Sequence, residues 1–530
     1  MQTFHITTRR DFLQTSLKLG LGAALGTLVD IPLVMKKALA QGIGGGGKKL
    51  LFIFLRGAND GLNSVIPIQD SAYATSRKTI GLPADPATDY SALRACDFPI
   101  SGPNTPTFAY ADAIRTGNGF MALHPSLKFL APLYNSGDLA LIHRVAYPKQ
   151  SRSHFDSQNY WETGNPNNNL AKDGIFYRTM LESGLTSRNA LTGVSVQSSL
   201  PLSLRGSDAA MTNLTDPTRY NLLGVPNTTD GNTKADAFLR AANSAQFTSK
   251  QNRDLLGLQY KNMSDTLSIF AGMDFSDAGN TFIDPNTTDG DKPYYLFPTS
   301  NAKNGGYVRS AGVNDPNKYV VDTGAYGFFN NLKSAAMILN KTDAMIAGTE
   351  FGGFDTHQKQ GAATGGHANL MRRLGWAMYA LKQYFTAYGD KTTWNNLVVV
   401  TMSEFGRTSI ENSDAGTDHA EAGVMFVAGG GVKGYGKAGR ASGVIGGHPN
   451  DSVPWVPGAN GTMFGASTRY LKRAVDYRSV LGEIIREHLG ATQTKLNRII
   501  PGYTDAREVL QSGGKSQIDN TNIMGEVDII

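Results

Sequence analysis

The segment Lys49–Leu55 reads KLLFIFL, almost continuously apolar over its whole length. A strand with one face in water alternates polar and apolar residues. A strand apolar at nearly every position must be covered on both faces, as it is inside a parallel sheet. Similar short runs recur at Leu139–Val145, Ala344–Ala347, Leu397–Met402 and Val424–Ala428. Helical patterns lie between them. Leu370, Leu374, Met378, Leu381 and Phe385 form one apolar stripe at helical spacing, and a second amphipathic helix runs from about Tyr477 to Leu489. Buried strands alternating with helices predict an α/β fold, a doubly wound, mostly parallel sheet with helices on both faces. The stretch at about 198–317 is rich in Asn, Thr, Asp, Gly and Ser, and reads as a loop-rich insertion and a candidate cap over the site.

The N-terminal 40 residues carry a different message. Thr8-Arg9-Arg10-Asp11-Phe12-Leu13 has the twin-arginine pattern, a weakly apolar stretch runs from Leu19 to Val29, and Ala38-Leu39-Ala40 is a small-x-small cleavage site before Gln41. The expectation is a signal peptide over residues 1–40, export in the folded state by the twin-arginine translocase, and a periplasmic or secreted protein. Gly42–Gly47 satisfies G-x-G-x-x-G but precedes the first strand, so residues 41–48 read as a linker and not a nucleotide loop. Residues 49–530 are then the α/β domain. No segment is long and apolar enough for a permanent membrane span. The net charge of +6 falls to about +3 once Arg9, Arg10, Lys18, Lys36 and Lys37 are set against Asp11 and Asp30, too little and too scattered to argue for nucleic acid. Cys96 is the single cysteine, which excludes an intramolecular disulfide and leaves stability to the core or a bound metal.

In a parallel sheet ligands sit beyond the carboxyl ends of the strands. After the first apolar run comes Arg56-Gly57-Ala58-Asn59-Asp60-Gly61; after the second come Ser151-Arg152-Ser153-His154-Phe155-Asp156 and Trp161-Glu162-Thr163-Gly164. The next is followed by Glu350-Phe351-Gly352-Gly353-Phe354-Asp355-Thr356-His357, and Leu397–Met402 by Ser403-Glu404-Phe405-Gly406-Arg407-Thr408. Gly416-Thr417-Asp418-His419-Ala420 stands just before the last run. A lone Asp in a glycine-rich turn is more often a turn residue, and a lone His more often structural. Carboxylates and imidazoles at five strand ends together point to one or two divalent ions. Zn²⁺ or Mn²⁺ suits both donor types, and Ca²⁺ would accept the carboxylates alone.

In this order the motifs LFIFLRGANDGLN, SRSHFDSQNYWETG, GGFDTH, VVVTMSEFGRT and GTDHAEAGVMFVAGGGVKG resemble the DUF1501 family of uncharacterised bacterial proteins, placed in the alkaline phosphatase–sulfatase superfamily. The resemblance implies metal ligands at Asp60, at Asp355 and His357, at Glu404, and at His419 with Asp418 beside it. It implies a nucleophile at Ser153, with Ser151 second, and a charge-stabilising role for Arg407 or Arg152. Where relatives carry Ser-Asp-His-Gly this chain has Ser403-Glu404-Phe405-Gly406, so one imidazole is lost. Four readings follow: a site one ligand short, substitution by His154, a single metal, or lost catalysis. The expected function is metal-dependent hydrolysis of a small-molecule phosphate or sulfate ester. The alternative is a non-catalytic binding or surface-structural protein of the same fold. A Ser-His-Asp hydrolase ranks last, because the chain has no G-x-S-x-G elbow.

Overall fold

The computed structural model describes residues 43–89, 113–187, 191–209, 211–216 and 321–530, with short stretches between 230 and 302. The segment expected to be a signal peptide, Cys96 and most of the expected insertion lie outside the described residues.

A nine-stranded mixed sheet organises the chain. Its strands, in chain order, are β1 (Lys49–Leu55), β2 (Leu139–Ala146), β3 (Gly193–Val196), β4 (Thr212–Leu214), β5 (Ile346–Phe351), β6 (Leu397–Ser403), β7 (Gly423–Ala428), β8 (Val444–Ile445) and β9 (Val475–Asp476). The order across the sheet is β8-β2-β7-β6-β1-β5-β3-β4, with β9 also pairing to β2. All neighbouring pairs are parallel except β6–β7 and β7–β2, so β7 alone runs against the rest.

The main helices are α1 (His154–Thr163), α2 (Ile175–Ser183), α3 (Tyr326–Lys341), α4 (Gly366–Ala387) and α5 (Tyr477–Glu483). Side chains alternate across β1, and each set enters a different core. Leu51, Ile53 and Leu55 join a cluster with Leu332 and Ala336 of α3 and Leu374 and Met378 of α4. Leu50, Phe52 and Phe54 join another with Phe176 of α2 and Tyr477 and Val480 of α5. Both faces of the sheet are therefore covered, which is why KLLFIFL shows no alternation. Phe52 stacks on Phe176 at 5.0 Å and lies over Gly348, where a Cβ would meet the Phe52 ring at 2.3 Å. That close approach requires glycine at position 348, where β5 passes the apolar run that marks its start and pairs with β1 as far as Phe351.

Two expected boundaries shift. The helix expected over Tyr477–Leu489 is α-helical only to Glu483, and its last turn, Ile484–His488, widens to a π-helix. Thr212–Leu214, inside the stretch expected to be an insertion, pairs parallel with β3 and extends the sheet. No helix among the described residues is long and apolar enough to cross a membrane.

Candidate metal centre

β1, β2, β5 and β6 all end at one edge of the sheet, and antiparallel β7 begins there. Four loops converge as a result, the one after β6 being also the one that precedes β7. Gly57 makes the approach possible: its φ is +106°, and a Cβ there would come within 2.4 Å of the Asp355 backbone nitrogen.

The centre is built from three imidazoles and one carboxylate. Nε2 of His419 lies 3.1 Å from Nε2 of His154 and 3.0 Å from Nε2 of His357. Asp355 Oδ1 lies 3.3 Å from His419 Nε2, 3.0 Å from His357 Nε2 and 3.6 Å from His154 Nε2. At zinc–nitrogen and zinc–oxygen lengths of about 2.0–2.1 Å, neighbouring donors of a tetrahedral site stand about 3.3 Å apart. The His154–Asp355–His419 triangle, with edges of 3.1, 3.3 and 3.6 Å, matches one face of such a tetrahedron.

The outer nitrogens set which atom faces inward. His419 Nδ1 donates to the Arg152 carbonyl at 2.9 Å, and His357 Nδ1 meets Asp418 Oδ1 at 3.3 Å. His154 Nδ1 lies 3.7 Å from Glu404 Oε1. Each ring thus has an oxygen on its Nδ1 side and turns Nε2 toward the centre, the arrangement in which metal-binding histidines are commonly held. Phe405 backs the set, with its ring centroid 4.8 Å from those of both His154 and His419. It occupies the position where an imidazole was expected.

Charge is balanced by buried guanidinium. Arg407 is buried and donates to Asp355 Oδ1 at 2.5 Å; its other hydrogen bonds go to the carbonyls of Ala58, Gly57, Phe354 and Thr417. Partial burial disfavours the Asp355 charge, but the charge and hydrogen bond of Arg407, with His357 and His154 nearby, hold its pKa below the usual carboxylate value. Hydrogen bonding to Glu404 raises the His154 pKa against the opposing effect of burial. Burial lowers that of His419, helped by the charges of Arg407 and His154.

The structure therefore gathers Asp355, His357 and His419 and adds His154, which the sequence offered only as a substitute. The other expected residues take different places. Asp60 is fully buried and bound by Arg77 at 2.6 and 3.0 Å and by Gln360 at 2.7 Å, so its oxygens are committed within the protein. Glu404 accepts the backbone N–H groups of Gly57 and Ala58 at 3.0 Å and stands behind His154. Asp418 stands behind His357, held by Arg469 at 2.7 Å and Asn412 at 3.1 Å. Ser153 is the N-cap of α1, its hydroxyl accepting the Asp156 N–H at 3.4 Å, and the Ser151 hydroxyl accepts the Ser153 N–H at 3.2 Å. Arg407 holds Asp355 from behind. Arg56, just past β1, is spent on 3.0 Å ion pairs to Glu162 of α1 and Glu350 of β5. Arg77, Gln360, Asn412 and Arg469 were not singled out by sequence, since nothing in their spacing marks them.

Fold and site together define an α/β protein with a histidine–carboxylate cluster at the carboxyl edge of its sheet. Residues 47–453 match the family model described as "Protein of unknown function (DUF1501)". The chain belongs to that family. No curated protein and no solved structure matches it.

Proposed function

We propose that this protein is an exported, metal-dependent hydrolase of phosphate or sulfate esters, related to the alkaline phosphatase–sulfatase superfamily and delivered by the twin-arginine translocase. The observation that carries this reading is the convergence of His154 Nε2, His419 Nε2 and Asp355 Oδ1 at spacings of 3.1–3.6 Å, with His357 Nε2 at 3.0 Å from both His419 Nε2 and Asp355 Oδ1. His154, His357, His419 and Asp355 would hold the ion. Three nitrogens and one oxygen suit Zn²⁺ or Mn²⁺ far better than Ca²⁺. With Asp60 and Glu404 bound elsewhere, the donors suffice for one ion. A divalent ion there supplies a Lewis acid that polarises a phosphoryl or sulfuryl oxygen and acidifies a nearby hydroxyl.

The chain's own groups complete the chemistry. Ser153, beside His154 at the start of α1, would attack phosphorus or sulfur, its O–P or O–S bond forming as the bond to the substrate alkoxide breaks and the serine proton going to the departing alcohol; water then cleaves the seryl ester, returning a proton to Ser153 and releasing the acid. The Asp156 N–H that caps the helix through Ser153 also favours negative charge on that oxygen. Arg152, exposed at the rim, where it donates to the Tyr470 hydroxyl and lies over the Tyr470 ring at 4.6 Å, would be the guanidinium nearest an anionic substrate, because Arg407 is occupied by protein acceptors.

The same occupation favours a second reading, a binding protein that kept the cradle without turnover. Two measurements separate them: metal content of the exported protein, and turnover of aryl phosphates, phosphodiesters and sulfates by the wild type, Ser153→Ala and Ser151→Ala. Hydrolysis abolished in Ser153→Ala with metal retained supports the enzyme. Full activity in Ser153→Ala removes that nucleophile, and stoichiometric metal without turnover on any ester favours the binding protein. Export is tested by N-terminal sequencing, which should begin near Gln41, and by replacing Arg9 and Arg10 with Lys, which should stop it.

A further inference from the structure

We propose that Gln360 is a positioning residue that fixes the distance between the two ligand-bearing loops, and so sets the metal affinity of the centre. This rests on the metal reading above and identifies what holds that site in register.

His154 comes from the start of α1, and the other ligands come from two separate loops, one carrying Asp355 and His357 and the other His419. The distances that matter for coordination, 3.0 Å from His357 to His419 and 3.3 Å from Asp355 to His419, cross between them. Beneath the ligands the fully buried Gln360 side chain touches both loops, as the buried Arg407 also does. Gln360 Oε1 accepts the Thr356 hydroxyl at 2.8 Å and the Thr417 hydroxyl at 3.0 Å. Thr356 lies between Asp355 and His357, and Thr417 two residues before His419. Gln360 Nε2 donates to Asp60 Oδ2 at 2.7 Å, and Asp60 is itself locked by Arg77. Backbone pairing adds to the clamp: Thr417 N–H donates to the Thr356 carbonyl at 3.1 Å and Gln360 N–H to the Ala415 carbonyl at 2.9 Å. Gly416 packs so closely that a Cβ would meet the His357 carbonyl oxygen at 2.2 Å.

Only a carboxamide of this length serves the three partners at once. It must donate to a buried carboxylate and accept two hydroxyls on its other atom. Glutamate would set a second negative charge against Asp60. Leucine would fill the volume but leave two buried hydroxyls and a carboxylate oxygen without this partner. Either change lets the loops drift apart, and metal sites tolerate only about 0.5 Å of such drift.

The test uses Co²⁺ as the probe on metal-stripped, full-length exported protein, reading affinity by chelator competition and coordination by visible absorption. Gln360→Leu should keep the wild-type circular dichroism, bind Co²⁺ about 10–100-fold more weakly, and show an altered absorption envelope. Thr356→Val and Thr417→Val, each losing one arm of the clamp, should show the same effect to a smaller degree. A variant with lowered melting temperature but unchanged affinity and spectrum would make Gln360 merely structural and overturn the inference. Should Gln360→Leu not fold, the two threonine variants decide: wild-type affinity in both overturns it. Failure of the wild type itself to bind Co²⁺ is a different result, since it removes the metal reading on which the inference stands.

Discussion

Arg77→Met is the perturbation that most sharply divides a structural Asp60 from a ligand. Both side chains of the pair are fully buried, and the guanidinium meets the carboxylate at 2.6 and 3.0 Å. Arg77 also donates to Asn63 at 2.7 Å and to the carbonyls of Thr408 and Ser409 at 2.7 and 3.2 Å. Removing it leaves Asp60 with the single Gln360 donor and its charge uncompensated away from water. Breaking one side of a buried ion pair costs about 3–5 kcal/mol, a large share of the about 5–15 kcal/mol that folds a domain. Asp60→Asn in the same background removes the stranded charge while keeping an oxygen for Gln360. The double variant should therefore recover much of the loss, a coupling of about 2 kcal/mol. The assay is urea denaturation followed by circular dichroism, with unfolding slopes compared to confirm a common unfolded state. Asp60→Asn alone should retain full metal content at saturating Zn²⁺. A cost below about 1 kcal/mol for Arg77→Met, or simple additivity in the double variant, would refute the reasoning. Loss of metal in a stable Asp60→Asn protein would return Asp60 to the ligand set.

His419→Ala should abolish stoichiometric zinc in dialysed, folded protein, read by plasma emission, because it removes the donor shared by both histidine contacts; one retained ion per chain would contradict the centre described here. Acid should destabilise the protein well above the carboxylate range. Burial lowers the pKa of His124 and His143 to about 3 and of His367 and His488 to about 4. The unfolded imidazoles titrate near about 6.5, so their stabilisation is complete above that pH. It is lost at about 1.4 kcal/mol per pH unit for each histidine as pH falls toward the folded values. A urea midpoint unchanged from pH 7 to pH 5 would show that these rings are not buried and neutral. Gly57→Ala should cost about 1–3 kcal/mol, because a Cβ at φ +106° is strained and would lie 2.4 Å from the Asp355 nitrogen; an unchanged denaturation midpoint would count against that approach.

Periodicity made much of the fold legible. β1, β6 and β7 are buried on both faces over six or seven residues, long enough for the pattern to stand out. The stripe on α4 spans a helix of 22 residues. What was not legible is short or locally ambiguous. β3, β4, β8 and β9 run for only two to four residues, too few to show a period. α3 carries its apolar face partly on Ala335 and Ala336, small residues that give little contrast against the polar side. The widened turn at Ile484–His488 has no marker in composition. The reversed direction of β7 likewise has none, yet it is what lets the residues before a strand share an edge with the residues after its neighbours.

The site shows the same division in electrostatic terms. Asp60 and Asp355 look alike as text, each an aspartate in a glycine-flanked turn after an apolar strand. In space Asp60 is sealed against Arg77, whereas the Asp355 side chain keeps 45% of its exposure beside Arg407. A carboxylate's availability is decided by its partner cation, and here those partners lie 17 and 52 residues away in sequence. Imidazoles are less ambiguous, because a neutral ring whose Nδ1 is taken by an oxygen has one lone pair left to offer. An imidazole ligand brings no charge of its own, and the Asp355 carboxylate is compensated by Arg407. Such a set surrounds an ion without cancelling its charge. An ion held there would still attract an anion, which is the ground on which a phosphate or sulfate ester, and not a neutral one, is proposed as substrate.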